Sequence, residues 1–239
     1  MTYTHIVFVG HHKDRLMDSI TRFRKYPIHR VTLVLGSDDS SGERISKKVA
    51  EKVKGELSPL FEVSIIRVDK RDIMNAASQI VDLIQKERQR GYECILNISG
   101  SLRTFSIAAY IAGCLTQSPM ITSIPRYDDA DQEVGVEEII ELPTIPVQFP
   151  KKDQVQLLEA IAGSSGYLED LILQMNPRVK EIPDDFAKER SRLTHHLKRI
   201  EEMGFVTKEK IGKQVMFSLS PLGRIFEKVC SGDISRING

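Results

Sequence analysis

Residues 5–142 alternate short apolar runs with amphipathic stretches, four times over, and this alternation limits the fold more than any other feature. The apolar runs are 5–10 (HIVFVG), 31–36 (VTLVLG), 61–68, with Val63, Ile65 and Ile66, and 94–98 (CILNI). Each has strand length. Between them, 14–25 places Leu16, Ile20 and Phe23 at helical spacing, and Ser37, Asp38, Asp39 and Ser40 offer caps for a helix to about residue 57. Residues 72–90 carry Ile73, Ala76, Ile80, Leu83 and Ile84 on one face, and 102–116 is apolar enough to be a buried helix. Two further runs, 121–127 and 134–142, are separated only by a polar turn and predict a closing hairpin. Four βα steps ending in a hairpin predict an α/β domain: a Rossmann-like, mostly parallel sheet with helices on both faces and right-handed crossovers.

Pro143, Pro146 and Pro150 end the pattern. Proline removes a backbone donor and breaks helices and central strands, so 143–152 is expected to be an extended linker. The division expected is a sheet domain at 1–142, the linker, and a second domain at 153–239. In the second, Asp153 is expected to cap a helix ending near Gly163. A helix over 167–175 stops at Asn176-Pro177, and a third over 186–203 stops at Gly204. Two short strands, 205–209 and 214–219, then flank a turn at Ile211, Gly212 and Lys213, and Ser220-Pro221 opens a last helix to about Val229.

Composition excludes several classes. Hydrophobic residues make up 41% and charged residues 28%, the balance of a soluble globular chain. Cys94, Cys114 and Cys230 show neither CxxC spacing nor a histidine partner, so no metal site is expected and a reducing cytoplasm is. No apolar run approaches the roughly 20 residues that span a bilayer, so no membrane partner is expected. GxGxxG and Walker A motifs are missing, which disfavours NAD-type and NTPase chemistry. The net charge of +1 is uninformative, but 188–213 holds 8 Lys and Arg against 4 Glu. Such a local concentration suits a nucleic-acid footprint or a solvated, ion-paired helix face.

Two strand ends carry candidate ligand chemistry. One is Gly10, His11, His12 and Arg15; the other is Asn97, Ser99, Gly100, Ser101, Leu102 and Arg103, opening the apolar helix. Small hydroxyl residues and a glycine at a helix N-terminus form an anion or nucleotide cradle. Arg103 opposes the helix dipole there unless it faces an anion. Paired carboxylates, a metal cluster and a Ser/His/Asp arrangement are not evident, so no catalytic residues, no cofactor and no enzymatic activity are expected.

The passage HHLKRIEEMGFV, a GK turn and FSLSPLG resemble the winged helix-turn-helix repressors of the ArsR and MarR types over about residues 153–230. The resemblance implies a third helix in the major groove and a hairpin wing on the DNA backbone. Ser191, Arg192, Thr194, His195 and Lys198 would then face the groove, with Arg190 on the same polar face. Lys208, Lys210 and Lys213 would be phosphate contacts.

The loop Asn97-Ile98-Ser99-Gly100-Ser101-Leu102-Arg103, joined to such a reader, is similar to the CRISPR-associated Rossmann-fold (CARF) regulators of archaea. Their loop commonly reads N-x-T-G-G-T-K; Asn97, Ser99 and Gly100 fit, Ser101 replaces the second glycine, and Arg103 supplies the basic residue. The resemblance implies a homodimeric, DNA-binding transcription regulator whose effector is a cyclic oligoadenylate or similar nucleotide, with double-stranded DNA as partner. A ring nuclease cleaving that nucleotide, with Ser99, Arg103 and His12 as candidates, is the alternative. A winged-helix scaffold that docks a protein is a third reading.

Overall fold

In the computed structural model, residues 2–145, 147, 150–163, 166–180, 183–212 and 214–232 are described. The chain divides into two compact units, Met1–Val147 and Gln148–Gly239.

The first unit is a six-stranded sheet in the order β3-β2-β1-β4-β5-β6. Its strands are β1 (Thr2–Phe8), β2 (Ile28–Gly36), β3 (Glu62–Val68), β4 (Tyr92–Asn97), β5 (Met120–Tyr127) and β6 (Glu133–Leu142). The first five are mutually parallel and β6 closes the sheet antiparallel to β5. The helices α1 (Lys13–Thr21), α2 (Ser41–Leu57), α3 (Ile73–Gln89) and α4 (Arg103–Thr116) connect the strands. A mostly parallel Rossmann-like sheet is therefore present, as the alternation predicts.

Side-chain alternation explains the layers. Val7, Val9, Val31, Leu33 and Leu35 lie under Leu16 and Ile20 of α1 and Val49, Ala50, Val53 and Leu57 of α2. The opposite parity, with Ile6 and Phe8, is buried on the α3 and α4 side, where Phe8 meets Phe105 at 5.8 Å between ring centroids. Full burial of one such side chain contributes about 1.5–3 kcal/mol. His5 shares the parity of Val7 and is wholly buried, and among the described residues neither ring nitrogen has a hydrogen-bond partner. Desolvation pushes its pKa down to about 3, so it is a neutral core residue.

Boundaries differ from expectation where apolar periodicity is silent. β1 and β2 begin at Thr2 and Ile28 because sheet pairing extends through polar residues such as Thr4 and Arg30. Helix α1 stops at Thr21 rather than 25; Phe23 instead packs on Tyr26, which meets Tyr3. Pro27 also biases the residue before it toward extended backbone.

The second unit contains α5 (Lys152–Ala162), α6 (Leu168–Met175), a 3-10 turn (Pro177–Lys180), α7 (Pro183–Glu202), the hairpin β7 (Val206–Ile211) and β8 (Gln214–Leu219), and α8 (Pro221–Gly232). Asp153 is not the cap of α5. Gln154 Oε1 accepts from the Lys151 N–H at 2.8 Å, so the helix starts earlier and Asp153 lies in its first turn, where a carboxylate suits the dipole. Leu158, Leu171, Ile172, Leu193, Leu197, Ile200, Phe205, Ile225 and Phe226 are buried, with Phe205 and Phe226 4.6 Å apart. Ile211 pairs with Gln214 and so belongs to β7 rather than to the turn; Gly212 takes φ +63°, a glycine conformation. Gly166 also has positive φ, and its carbonyl accepts from Phe217 N at 2.8 Å, tying the start of α6 to β8. Lys213 and Pro146 lie outside the described residues, as do residues 148 and 149 of the expected linker. Among the described residues no helix is long and apolar enough to cross a membrane, and no group of three His, Cys, Asp or Glu side chains could hold a metal.

Candidate functional site

In the order 3-2-1-4-5, the chain runs outward from β1 in one direction and resumes beside β1 with β4. The topological switch point therefore lies between the carboxyl ends of β1 and β4, where open α/β sheets form their ligand crevice. The two candidate segments meet there. A Cβ on Gly10 would lie 1.9 Å from the Gly100 carbonyl oxygen, and one on Gly100 would lie 2.6 Å from Leu16 Cδ2. Glycine at position 10 is what permits this approach of the two loops, because a Cβ there would collide with backbone; at position 100 the nearest obstruction is the Leu16 side chain.

Asn97 is fully buried. Its amide donates to Ser19 Oγ at 2.9 Å and its carbonyl oxygen accepts from Ser99 N at 3.0 Å. It shapes the loop rather than lining the opening. Arg15 is also a loop support: Nη1 donates to the Ser99 carbonyl at 3.1 Å, Nε donates to Glu133 Oε1 at 2.7 Å, and Nη2 donates to Glu133 Oε2. A planar guanidinium matches a carboxylate in this two-point geometry. Sequence reading missed Glu133, whose side chain is only 4% exposed. It lies 118 positions from Arg15, so no local spacing could announce it. Asp18 of the same helix and two residues beyond its end also grip β6: Asp18 accepts from Val136 N at 3.0 Å, Arg22 donates to Val136 O, and Lys25 pairs with Glu141 at 2.7 Å.

The remaining candidates border the opening. His12 is exposed, with Nδ1 3.5 Å from Glu133 Oε2, and His11 Nε2 lies 3.1 Å from the Gly42 carbonyl at the start of α2. Ser101 turns its hydroxyl to the Leu102 carbonyl at 2.9 Å. Leu102 is the N-cap residue of α4 and supplies no side-chain cap, so the first-turn N–H groups retain their donor capacity. Arg103 is exposed in that turn. Ser99 Oγ is buried and makes no hydrogen bond among the described residues. A free helix N-terminus, an unmatched hydroxyl and a nearby cation together suit an anionic group.

The second unit spreads its candidates along one exposed face of α7 and the adjoining hairpin. Ser191, Thr194 and His195 are exposed, and Thr194 Oγ1 donates to the Arg190 carbonyl at 2.7 Å. Most cations there have acidic neighbours. Arg190 meets Glu169 at 3.5 Å, Arg192 meets Glu189 at 2.6 Å and Asp153 at 3.5 Å, Lys198 meets Glu202 at 3.9 Å, and Lys208 meets Glu201 at 2.9 Å. The Glu189 hydrogen bond raises the pKa of Arg192. Lys210 is exposed and makes no ion pair among the described residues; Lys213 lies outside them. Thr194, Leu197, Lys198, Lys208 and Phe217 line a shallow groove of about 530 Å³ between α7 and the hairpin. His196 is half-buried, and desolvation, with Arg192 nearby, lowers its pKa.

Comparison with known proteins bears on both units. The family model described as "HFX_2341_N:-like, N-terminal" matches residues 3–127. An "Uncharacterized protein" of Archaeoglobus fulgidus is 25% identical over 228 residues, 95% of this chain and 97% of that protein. Among solved structures, Can2 from Sulfobacillus thermosulfidooxidans, in complex with cyclic tetra-adenylate, aligns at 14% identity and TM-score 0.41 over 95% of this chain. The chain spans 64% of the length of that Can2 chain. Protein VC1899 from Vibrio cholerae aligns at 12% identity and TM-score 0.41, covering 98% of this chain and 68% of its own. Enterococcus italicus Csm6, bound to cyclic hexa-2'-fluoro-hexa-dAMP, aligns at 15% identity and TM-score 0.42, covering 83% and 55%. Scores this low describe a loose likeness and carry no functional weight.

Proposed function

The chain belongs to the HFX_2341_N-like family through its N-terminal unit, and we propose that it is a nucleotide-responsive, homodimeric DNA-binding regulator. The observation that carries the reading is the unmatched Ser99 hydroxyl beside the uncapped N-terminus of α4. A buried hydroxyl without a partner costs about 1–3 kcal/mol, and an anionic ligand would supply the acceptor. The similarity of the 97–103 loop to the CARF pattern suggests a cyclic oligoadenylate as that ligand. Exposed Leu102, at the N-cap, and exposed Ile107 on the largely apolar α4 support a second copy as neighbour. The second unit is read as a winged helix, with α7 in the major groove and Lys208, Lys210 and Lys213 on phosphates. The ligand acts by favouring one of two conformations with unequal DNA affinity. It is bound without turnover.

Calorimetric titration with cyclic tetra- and hexa-adenylate tests the sensor. Saturable binding is expected, weakened by Arg103→Ala and lost in Ser99→Ala, while the thermal midpoint of Ser99→Ala stays level or rises because an unmatched hydroxyl is removed. Failure of either nucleotide to bind folded protein overturns the sensor reading. Linear product on incubation overturns the binding-only part. Fluorescence anisotropy against the DNA upstream of its own gene tests the reader, and a folded protein with no salt-dependent affinity for duplex would remove it.

A further inference from the structure

Helix α4 starts at the switch-point crevice and also touches the chain as it leaves the sheet. Arg103 opens its first turn, and Tyr110 follows about two turns later. That spacing sets both residues on one stripe of the helix, about 10 Å apart along its axis. The Tyr110 hydroxyl donates to the Pro143 carbonyl at 3.0 Å, across 33 positions of sequence. Pro143 directly follows Leu142, the last residue of β6, and so begins the segment that leads to the second unit.

Packing makes α4 a stiff connection between these two places. Phe105, Ala108, Ala109 and Ala112 are buried along it, and Phe105 rests on Phe8 of β1. A Cβ on Gly113 would lie 2.5 Å from Met120 Sδ, so the helix also presses on the first residue of β5. Met120 pairs across the sheet with Leu142, the residue before Pro143. A close-packed interior transmits strain instead of absorbing it, so a shift at the N-terminus of α4 carries Tyr110 with it. Proline has a fixed φ, so a change at the Pro143 carbonyl reorients the peptide that enters Thr144.

We propose that the hydrogen bond from Tyr110 to Pro143 is the contact through which occupancy of the crevice reaches the segment between the units. The inference rests on the nucleotide-sensor reading and deepens it, by assigning the residue that carries the regulation. The ligand anion draws on the first-turn N–H groups of α4 and on Arg103. Two turns on, the same helix holds Pro143, and the ligand favours one of two arrangements of that contact. Tyr110 acts by position, through a continuous chain of packed groups.

Tyr110→Phe removes the hydroxyl and keeps the ring. Cyclic tetra-adenylate is titrated into the full chain, parent and variant, by calorimetry and by amide chemical shifts. Anisotropy then reads the affinity for duplex DNA with and without saturating nucleotide. In the parent, the Thr144 amide, which adjoins the Pro143 carbonyl, is expected to shift, and nucleotide is expected to change DNA affinity by about fivefold or more. In Tyr110→Phe the Thr144 shift is expected to vanish and the ratio of DNA affinities to fall to about 1. Affinity for nucleotide alone and for DNA alone is expected to stay within about twofold of the parent values. A merely structural hydroxyl would lower the thermal midpoint and leave the ratio and the Thr144 shift intact. A folded variant that keeps both responses therefore overturns the proposal, as does a parent that binds nucleotide with Thr144 unmoved. A parent that binds nucleotide but no duplex removes the DNA reading and leaves the Thr144 shift to decide the coupling. A parent that binds no nucleotide overturns the sensor reading, and this inference with it.

Discussion

Arg15 and Arg192 are both bound to glutamate through two nitrogens, yet their surroundings differ. Arg15 is 20% exposed against a Glu133 that is 4% exposed, and the pair joins α1 to β6 while holding the Ser99 carbonyl. Arg192 is 41% exposed, and its partner Glu189 is three residues away on the same helix. Removing one partner of a buried pair strands the other charge without water. Glu189 is 12% exposed, but its i,i+3 partner Arg192 is largely in water, so removing one member of this pair leaves the other within reach of solvent at smaller cost. The N-terminal unit therefore uses its arginine to fix a loop, whereas the α7 face keeps charges that an incoming phosphate could recruit from weak local pairs.

The largest expected effect breaks the first pairing. Glu133→Ala is expected to destabilise the N-terminal unit by about 3 kcal/mol, within the range for a buried pair losing one member. Arg192→Ala is expected to change stability by less than about 1 kcal/mol. Urea denaturation of the two variants, followed separately for each unit by amide exchange, measures the contrast. Equal losses would mean that exposure does not separate the two pairs.

The histidines extend the same contrast. His5 is neutral in the fold, with its pKa about 3 instead of 6.5. Its contribution is fully present above pH 6.5 and is lost progressively as pH falls from 6.5 toward 3, because the unfolded chain takes up the proton first. His5→Leu is expected to stabilise by about 1–2 kcal/mol, from the removal of unpartnered polar atoms, and to flatten that part of the acid limb. His196→Leu, on the half-exposed face of α7, is expected to change the acid limb far less. Melting temperatures from pH 7 to pH 4 check both, and an unchanged slope in His5→Leu would refute the buried neutral state.

The smallest effect on stability, and the sharpest on function, lies in the hairpin. Lys208→Glu/Lys210→Glu is expected to leave the stability within about 0.5 kcal/mol of the parent value. It is also expected to reduce the slope of log affinity against log salt by about 1 for each phosphate that the hairpin no longer neutralises. Anisotropy titrations at several salt concentrations measure this, and an unchanged slope would detach the hairpin from DNA.

Element order was legible because each strand and helix advertises itself over a few residues. The run VTLVLG, the stripe from Ile73 to Ile84 and the caps offered at residues 37–40 are local signals, and the structure places a strand and helices there, with Ser40 as the N-cap of α2. The cap of α5 was misread because both Asp153 and Lys151 precede apolar periodicity, and only Gln154 reaching back to Lys151 separates them. Of the switch-point residues, Gly10, Ser99, Gly100 and Arg103 announce a loop at a strand end. The roles of Asn97 and Arg15 do not follow from their neighbours, because their partners are Ser19 and Glu133, distant in the chain.

By itself, then, the sequence determined which segments are strands, which are helices and where glycine must stand. Periodicity and capping are properties of short windows, so one sequence is enough to read them. Tertiary structure alone decided that β4 returns beside β1, that Gly10 meets Gly100, and that Arg15 finds Glu133 across 118 positions. Those contacts depend on the order in which strands join the sheet, and no local pattern of side chains encodes that order.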